Sequence, residues 1–386
     1  MVSPARTVTV EDCLSIVEIT EPQISPDGRW VAMVLNGESG ARLVRIDLDA
    51  FWSGGSEPRY VTSVEDIDAW SPWSVRAGRG LGGGCFAWLP DSSGVVVVAR
   101  DGALWSLPLE GEPRLVVSNM SASSPMVDPT GRRVAFVVDQ ARIHVVDLAT
   151  GIIERVDDGR WDFVSDPLWW RGHPWWTAWN VPHMPWDVST LASADGHLGP
   201  PSCQLQQPRV SPDGTDLGWL DDASGWLNLQ IADGRRVAEP FEHGQPSWGE
   251  RQRSWCFDPN GGTAAFARNE QGFGRLCTVD LGTGRVVERA KAVHDNCRGP
   301  VAGWWPCEPE AERRRGWCST TPRPGSDPTS SSARRLPGKV IRPWWSLRSP
   351  RFPPQTGQRW RRGCTAVPVP MDDCCVGSTV DRPISG

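Results

Sequence analysis

Ser25-Pro26-Asp27-Gly28, followed by Arg29-Trp30-Val31-Ala32-Met33-Val34, is the stretch from which the fold can be read. Proline presets φ at about −65°, aspartate caps nearby backbone, and glycine accepts a positive φ, so the tetrapeptide reverses the chain ahead of a strand. The same unit recurs. Pro90-Asp91-Ser92-Ser93-Gly94 precedes Val95 to Val98, and Asp128-Pro129-Thr130-Gly131 precedes Val134 to Val138. Ser211-Pro212-Asp213-Gly214 precedes Leu217 to Leu220, and Asp258-Pro259-Asn260-Gly261 precedes Ala264 to Ala267.

A second apolar strand then ends in a polar hairpin. Ile143 to Gly151 reads Ile-His-Val-Val-Asp-Leu-Ala-Thr-Gly, and Arg275 to Gly284 repeats the pattern with Asp280-Leu281-Gly282-Thr283-Gly284 at its end. Such endings signal hairpins. The turn prolines are spaced by 64, 39, 83 and 47 residues. A period of about 40 to 47 with four short strands per unit is the mark of a β-propeller. The 83-residue gap is close to two periods, and Asp166-Pro167-Leu168-Trp169-Trp170-Arg171-Gly172-His173 reads as a degenerate turn inside it. The 64-residue gap has room for a loop insertion, for which the glycine-rich run Gly78 to Gly84 is the candidate. The expected fold is therefore all-β, a propeller of about six recognisable four-stranded blades between about residues 15 and 290. A parallel α/β sheet would require long stretches of 3.6-residue apolar period, which are absent. A Greek-key sandwich would explain short strands but not a turn at a fixed period.

The 386 residues carry a formal charge of −6, without the clustered positive surface that nucleic acid or an anionic membrane demands. Neither partner is expected. Met1 to Ile19 contains Glu11 and Glu18 and no apolar core of signal-peptide length, and nowhere do 18 uncharged apolar residues run together. A cytoplasmic location is expected, with the 11 cysteines reduced. Lysine occurs only at Lys291 and Lys339, every other basic residue being arginine, a skew that points to GC-rich coding DNA.

Trp179-Asn180-Val181-Pro182-His183-Met184-Pro185-Trp186-Asp187 resembles a loop of bacterial dipeptidyl- or acylaminoacyl-peptidase-like members of the prolyl oligopeptidase family. So does Gln207 to Gly214, followed by Asp222-Ala223-Ser224-Gly225-Trp226-Leu227-Asn228-Leu229. The Ser-Pro-Asp-Gly repeats are shared with TolB-like propellers, and the resemblance covers roughly residues 8 to 290. It implies a propeller, usually of seven or more blades, that screens access to an α/β-hydrolase domain and admits short peptides. It implies serine-type proteolysis as the activity of the whole. The hydrolase hallmark is a Gly-x-Ser-x-Gly elbow, which exposes a strained nucleophile, followed by Asp and His. No Gly-x-Ser-x-Gly occurs in these 386 residues, a His-Gly-Gly oxyanion segment is absent, and His294 is the last histidine.

Beyond about residue 293 the composition changes. Residues 296 to 386 hold 6 of the 11 cysteines, 15 Lys plus Arg against 7 Asp plus Glu, and only 11 Leu, Ile, Val and Phe. So few apolar residues do not bury a core. Trp304-Trp305, Trp344-Trp345, Cys374-Cys375 and Arg313-Arg314-Arg315 are foreign to ordinary disordered tails. The segment reads as an out-of-frame translation of GC-rich DNA that encoded a last blade and a hydrolase domain. The expected division is 1–292 propeller and 293–386 disordered tail, the other readings being a native divergent extension and a small metal module. A propeller lacking its last blade leaves sheet edges unpaired, and poor solubility is expected of it.

No catalytic, cofactor or metal residue is assigned. Cys297, Cys307, Cys318, Cys364, Cys374 and Cys375 lack the paired two-to-four-residue spacing of a zinc knuckle. His173 and His183 flank Trp175, Trp176 and Trp179, with Trp186 beyond, and could form an aromatic ligand site. Packing between blades is the plainer role for them. Asp221-Asp222 and Asp157-Asp158 could hold a peptide amine, but acidic pairs at strand ends are usually solvated turns. Arg313 to Arg315, Arg334-Arg335 and Arg361-Arg362 read as solvated charge rather than a nucleic-acid tail. Two functions stay open: the catalytically silent propeller of a peptidase whose partners are peptides, and a stand-alone TolB-like propeller that binds a protein or ligand. The oligomeric state is left open.

Overall fold

The computed structural model describes residues 9–10, 18–37, 40–48, 70–76 and 83–291, all within the first of two units, Met1–Arg342. The tail from 293 to 386, with its cysteines, arginine runs and His294, lies outside the described residues. So does most of the glycine-rich run, residues 78–82. Among the described residues no helix is long and apolar enough to cross a membrane.

The described residues form six antiparallel sheets in chain order, arranged as the blades of a propeller. Blade 1 is β1 (Glu18–Ile24), β2 (Trp30–Gly37) and β3 (Gly40–Asp47). Blade 2 is β4 (Phe86–Trp88), β5 (Gly94–Val98), β6 (Leu104–Pro108) and β7 (Arg114–Val117). Blade 3 is β8 (Ala122–Val127), β9 (Arg133–Val138), β10 (Arg142–Asp147) and β11 (Ile153–Arg155). Blade 4 is β12 (Phe163–Trp170), β13 (His173–Trp179), β14 (Thr190–Ala192) and β15 (His197–Leu198). Blade 5 is β16 (Leu205–Val210), β17 (Leu217–Asp221) and β18 (Asn228–Ile231). Blade 6 is β19 (Trp255–Phe257), β20 (Thr263–Glu270), β21 (Phe273–Asp280) and β22 (Val286–Ala290).

The two three-stranded sheets each carry an irregular fourth element. Along β3 the N–H groups of Trp70, Ser71 and Val75 bond the carbonyls of Leu43 and Ala41. Along β18 the N–H groups of Val237 and His243 bond those of Leu229 and Leu227. The ladder is satisfied in both, so the four-element repeat holds throughout.

The turns behave as their chemistry requires. Gly28 has φ 75° and donates its N–H to the Ser25 carbonyl at 2.9 Å, while Ser25 Oγ donates to Asp27 at 2.5 Å and accepts the Trp30 N–H at 2.9 Å. Ser211, Asp213 and Gly214 repeat the network, the Ser211 hydroxyl donating to Asp213 at 2.5 Å. One reversal lies elsewhere than expected. Asp166, Pro167, Leu168, Trp169 and Trp170 belong to strand β12, and the turn falls at Arg171-Gly172, with φ 52° and 80°. Proline fits a strand here because Asp166 and Pro167 form a bulge, where the ladder does not need its missing N–H.

Period-2 alternation assigns each strand one face per neighbouring blade. In β9, Val134 and Phe136 pack toward blade 2 with Val96, Val98 and Leu104. The intervening Val137 packs with Ile143 toward Val164, Trp176 and Ala178 of blade 4. Phe86, Val95 and Val97 meet Ala32, Val34 and Leu43 between blades 1 and 2. Leu168 and Leu191 meet Leu205, Leu217 and Trp219 between blades 4 and 5. Leu220, Leu229 and Ile231 meet Trp255, Phe266 and Val279 between blades 5 and 6. Each fully buried large side chain contributes about 1.5–3 kcal/mol of transfer free energy, so these five seams are the core. Among the described residues no apolar cluster joins blade 6 to blade 1: Val31, Met33, Leu35 and Val44 cluster within blade 1, and Cys256 and Ala265 within blade 6.

Candidate functional site: the propeller axis

The first strand of a blade lies nearest the axis, and in four blades that strand skips the same two residues. The ladder jumps Glu21-Pro22 in β1, Ser124-Pro125 in β8, Asp166-Pro167 in β12 and Gln207-Pro208 in β16. Each polar member has a left-handed backbone, with φ 51°, 50°, 48° and 53°. A bulge re-aims a side chain, and conformations of this kind gather at functional sites. Blade 2 enters through Gly83 and Gly84, with φ 93° and 71°, and blade 6 through Glu250 and Arg251, the latter with φ 57°.

These six entries converge. Glu21, buried at 7 % exposure, accepts the Cys85 N–H at 3.0 Å, and the Ser124 N–H bonds the Gly84 carbonyl at 2.9 Å. Arg251 donates its backbone N–H to Asp166 at 2.7 Å, and its guanidinium donates to the Pro125 carbonyl and reaches the Met126 sulfur at 3.8 Å. A Cβ on Gly83 would stand 1.7 Å from the Glu250 carbonyl oxygen. Blade 6 thus touches blades 2, 3 and 4, which non-adjacent blades achieve only at the axis. The residues from Pro246 to Arg253 cross the axis. They are tied at their ends by the Gln206 amide to the Gln245 carbonyl (3.0 Å), Arg209 to the Gln252 carbonyl (3.1 Å), and Trp248 against Trp186 with ring centroids 4.4 Å apart.

Burial pushes the Arg251 guanidinium below its ordinary pKa, against the pull of Asp166, Glu21 and Glu250. Burial raises the Cys85 thiol well above its usual value, and Glu21 and Glu250 add to the rise. Cys85 is therefore a packed thiol and not a nucleophile. A polar hollow of about 170 Å³ lies beside this region, lined by Arg76, Ser121, Ser123, Asp139 and Gln140. Among the described residues no group of three or more His, Cys, Asp or Glu is placed to hold a metal.

The residues singled out in the sequence do not assemble. His173 and His183 are exposed, and His183 uses its N–H to bond the Asn180 carbonyl at 3.1 Å. Trp176 is buried between blades 3 and 4, Trp179 stacks on Phe163 at 5.5 Å, and Trp175 meets Trp170 edge-on at 5.5 Å. Asp221 is buried, accepting from Trp219 Nε1 at 2.9 Å and Arg236 at 3.1 Å, while Asp222 accepts from Gln204 at 3.0 Å. Asp157 accepts the Ile143 N–H at 2.9 Å and pairs with Arg155, and Asp158 pairs with Arg160. Both acidic pairs serve the scaffold.

His243 is a further polar group that its sequence neighbourhood does not announce. It is fully buried, with Nδ1 accepting the Leu229 N–H at 3.2 Å, which leaves the proton on Nε2 to donate to Glu239 at 3.1 Å. Burial lowers its pKa, against the opposing pull of Glu239. The native state therefore binds fewer protons than the unfolded chain between the depressed value and about 6.5. Stability is full above about pH 6.5 and falls as pH drops, by at most about 1.4 kcal/mol per pH unit for one histidine. The denaturant midpoint should fall between about pH 7 and about pH 5.5, and His243→Gln should flatten that fall. His144, lowered in the same direction by burial, supplies the slope that remains.

No protein-family model matches the chain, and none of the curated proteins does. Among solved structures, a puromycin-hydrolysing peptidase of Mycobacterium tuberculosis superposes at a TM-score of 0.55 and 19 % identity, over 71 % of this chain and 46 % of its own. A prolyl endopeptidase gives 0.49 and 13 % over 72 % and 42 %, and TolB from Acinetobacter baumannii 0.41 and 14 % over 73 % and 56 %. The chain thus spans less than two thirds of the length of each of these neighbours. What the likeness to the puromycin-hydrolysing peptidase shows at this identity is the fold: the described residues form a β-propeller of six blades.

Proposed function

We propose that this chain is a substrate-gating propeller of the prolyl-oligopeptidase type, catalytically silent by itself, working on peptides in the cytoplasm. The observation that carries the reading is the superposition of the described propeller on 46 % of a puromycin-hydrolysing peptidase, at a TM-score of 0.55. The sequence agrees with it, having no Gly-x-Ser-x-Gly.

Aminoacyl and dipeptidyl chromogenic substrates should give no turnover with the purified chain, and a fluorophosphonate should label no serine. Turnover abolished by the fluorophosphonate would overturn the reading. The second reading is a stand-alone TolB-like binding module. It is favoured by the axial cluster, every member of which comes from this one chain.

A further inference from the structure

The segment that crosses the axis is seated as a bound peptide would be. Arg251 is 6 % exposed, its N–H donates to Asp166, and its guanidinium is held by a backbone carbonyl and a thioether, with Glu21 and Glu250 supplying negative charge nearby. Residues 244–252 contain no strand or helix, so the segment owes its place to these contacts rather than to a ladder of its own. The seat is also incompletely used. Ser124 is fully buried with an Oγ that has no hydrogen-bond partner. A buried polar group left unmade costs about 1–3 kcal/mol, so the internal segment holds the axis with less than the site can offer.

We propose that the propeller axis is a binding site for an extended peptide bearing a guanidinium, and that Glu250-Arg251 fills it as an exchangeable internal ligand. An incoming arginyl peptide places its guanidinium on the Pro125 carbonyl and Met126 sulfur, its backbone N–H on Asp166, and one further polar group on Ser124. A planar guanidinium suits the seat better than an ammonium, because its forked donors address the carbonyl while its face and edge tolerate the thioether. This site stands whether or not a hydrolase domain works with the propeller.

Cys85 reports exchange. It is buried beside Gly84, its N–H bonds Glu21, and the Glu250 charge acts on its thiol. Cys277, fully buried between blades 5 and 6, reports unfolding instead. The full chain is alkylated with and without N-acetyl-Glu-Arg-Gln-amide, and each cysteine is followed by peptide mass spectrometry. The expected result is at least about a tenfold faster modification of Cys85, equivalent to about 1.4 kcal/mol of opening, with Cys277 unchanged and no acceleration by the Glu-Leu-Gln peptide. An unchanged Cys85 rate overturns the proposal, as does equal acceleration of Cys277 or equal acceleration by the leucyl peptide. In a second arm, Arg251→Ala should regain thermal stability saturably with methylguanidinium and not with methylammonium, while the parent chain gains nothing. Equal recovery with both cations also overturns it. Should that variant not fold, the alkylation arm, which needs no substitution, decides.

Discussion

Trp255→Ala is expected to lower the unfolding free energy by roughly 3–5 kcal/mol. The indole is fully buried where β19 faces blade 5 and packs edge-on to Phe257 at 5.0 Å. Its Nε1 donates to the Gln207 carbonyl at 3.1 Å, and the Arg209 guanidinium lies 5.6 Å from the ring centre. Alanine would open a cavity, strand that carbonyl, and remove the ring that covers Arg209, three losses in one place. Gly218 already lies so close that a Cβ there would be 2.7 Å from Trp255 Cη2. The measurement is a shift of the denaturant midpoint at constant m-value. Trp226→Ala, at a ring 42 % exposed, should stay within about 0.5 kcal/mol and serves as the control. A Trp255 variant as mild as that control would mean that the seam between blades 5 and 6 is not packed.

Gly83→Ala should rank next, at roughly 2–6 kcal/mol, from a left-handed backbone (about 1–3) together with overpacking (about 1–3). The new Cβ would stand 1.7 Å from the Glu250 carbonyl oxygen and 2.6 Å from its carbon, both backbone atoms that no rotamer change can move. Gly151→Ala isolates the first contribution, since Gly151 has φ 72° and no atom within 4 Å of its Cβ position. The difference between the two variants measures the contact of the axial segment with blade 2. Equal effects would place Glu250 away from Gly83. The same contact makes Gly83→Ala a means of expelling the segment, so Cys85 should become more reactive in any folded fraction.

Much of the fold was legible because its signals are short. The hydroxyl of Ser25 or Ser211 reaches the carboxylate two residues on, and the glycine N–H returns to the carbonyl three residues back, so each turn is set within six residues. Asp147 and Asp280 likewise organise their hairpins by accepting the N–H groups of Thr150 and Thr283. The axial site was less legible. Its repeat is present in the sequence, with Pro125, Pro167 and Pro208 spaced by 42 and 41 residues, each preceded by a polar residue. Asp166-Pro167 nevertheless reads as a turn, because the same dipeptide serves a turn or a bulge and only the partner strand distinguishes them. The tryptophan and histidine run from 173 to 186 looked like a site because its members are close in sequence. Alternation along β13 turns only Trp176 to the seam with blade 3, while Trp175 and Trp179 take Trp170 and Phe163 as ring partners, and His183 and Trp186 lie beyond the strand.

By itself the sequence determined where the five recurring Pro-Asp and Asp-Pro turns reverse the chain, and that the unit repeats about every 40 residues, since those interactions span a few residues and need no distant partner. Tertiary structure alone decided what occupies the centre. Glu21, Gly84, Ser124, Asp166, Gln207 and Arg251 come from six blades, and only radial closure brings them to one axis. There a left-handed backbone and a buried charge persist because many contacts from separate blades hold each of them, a condition that no local stretch of sequence can express.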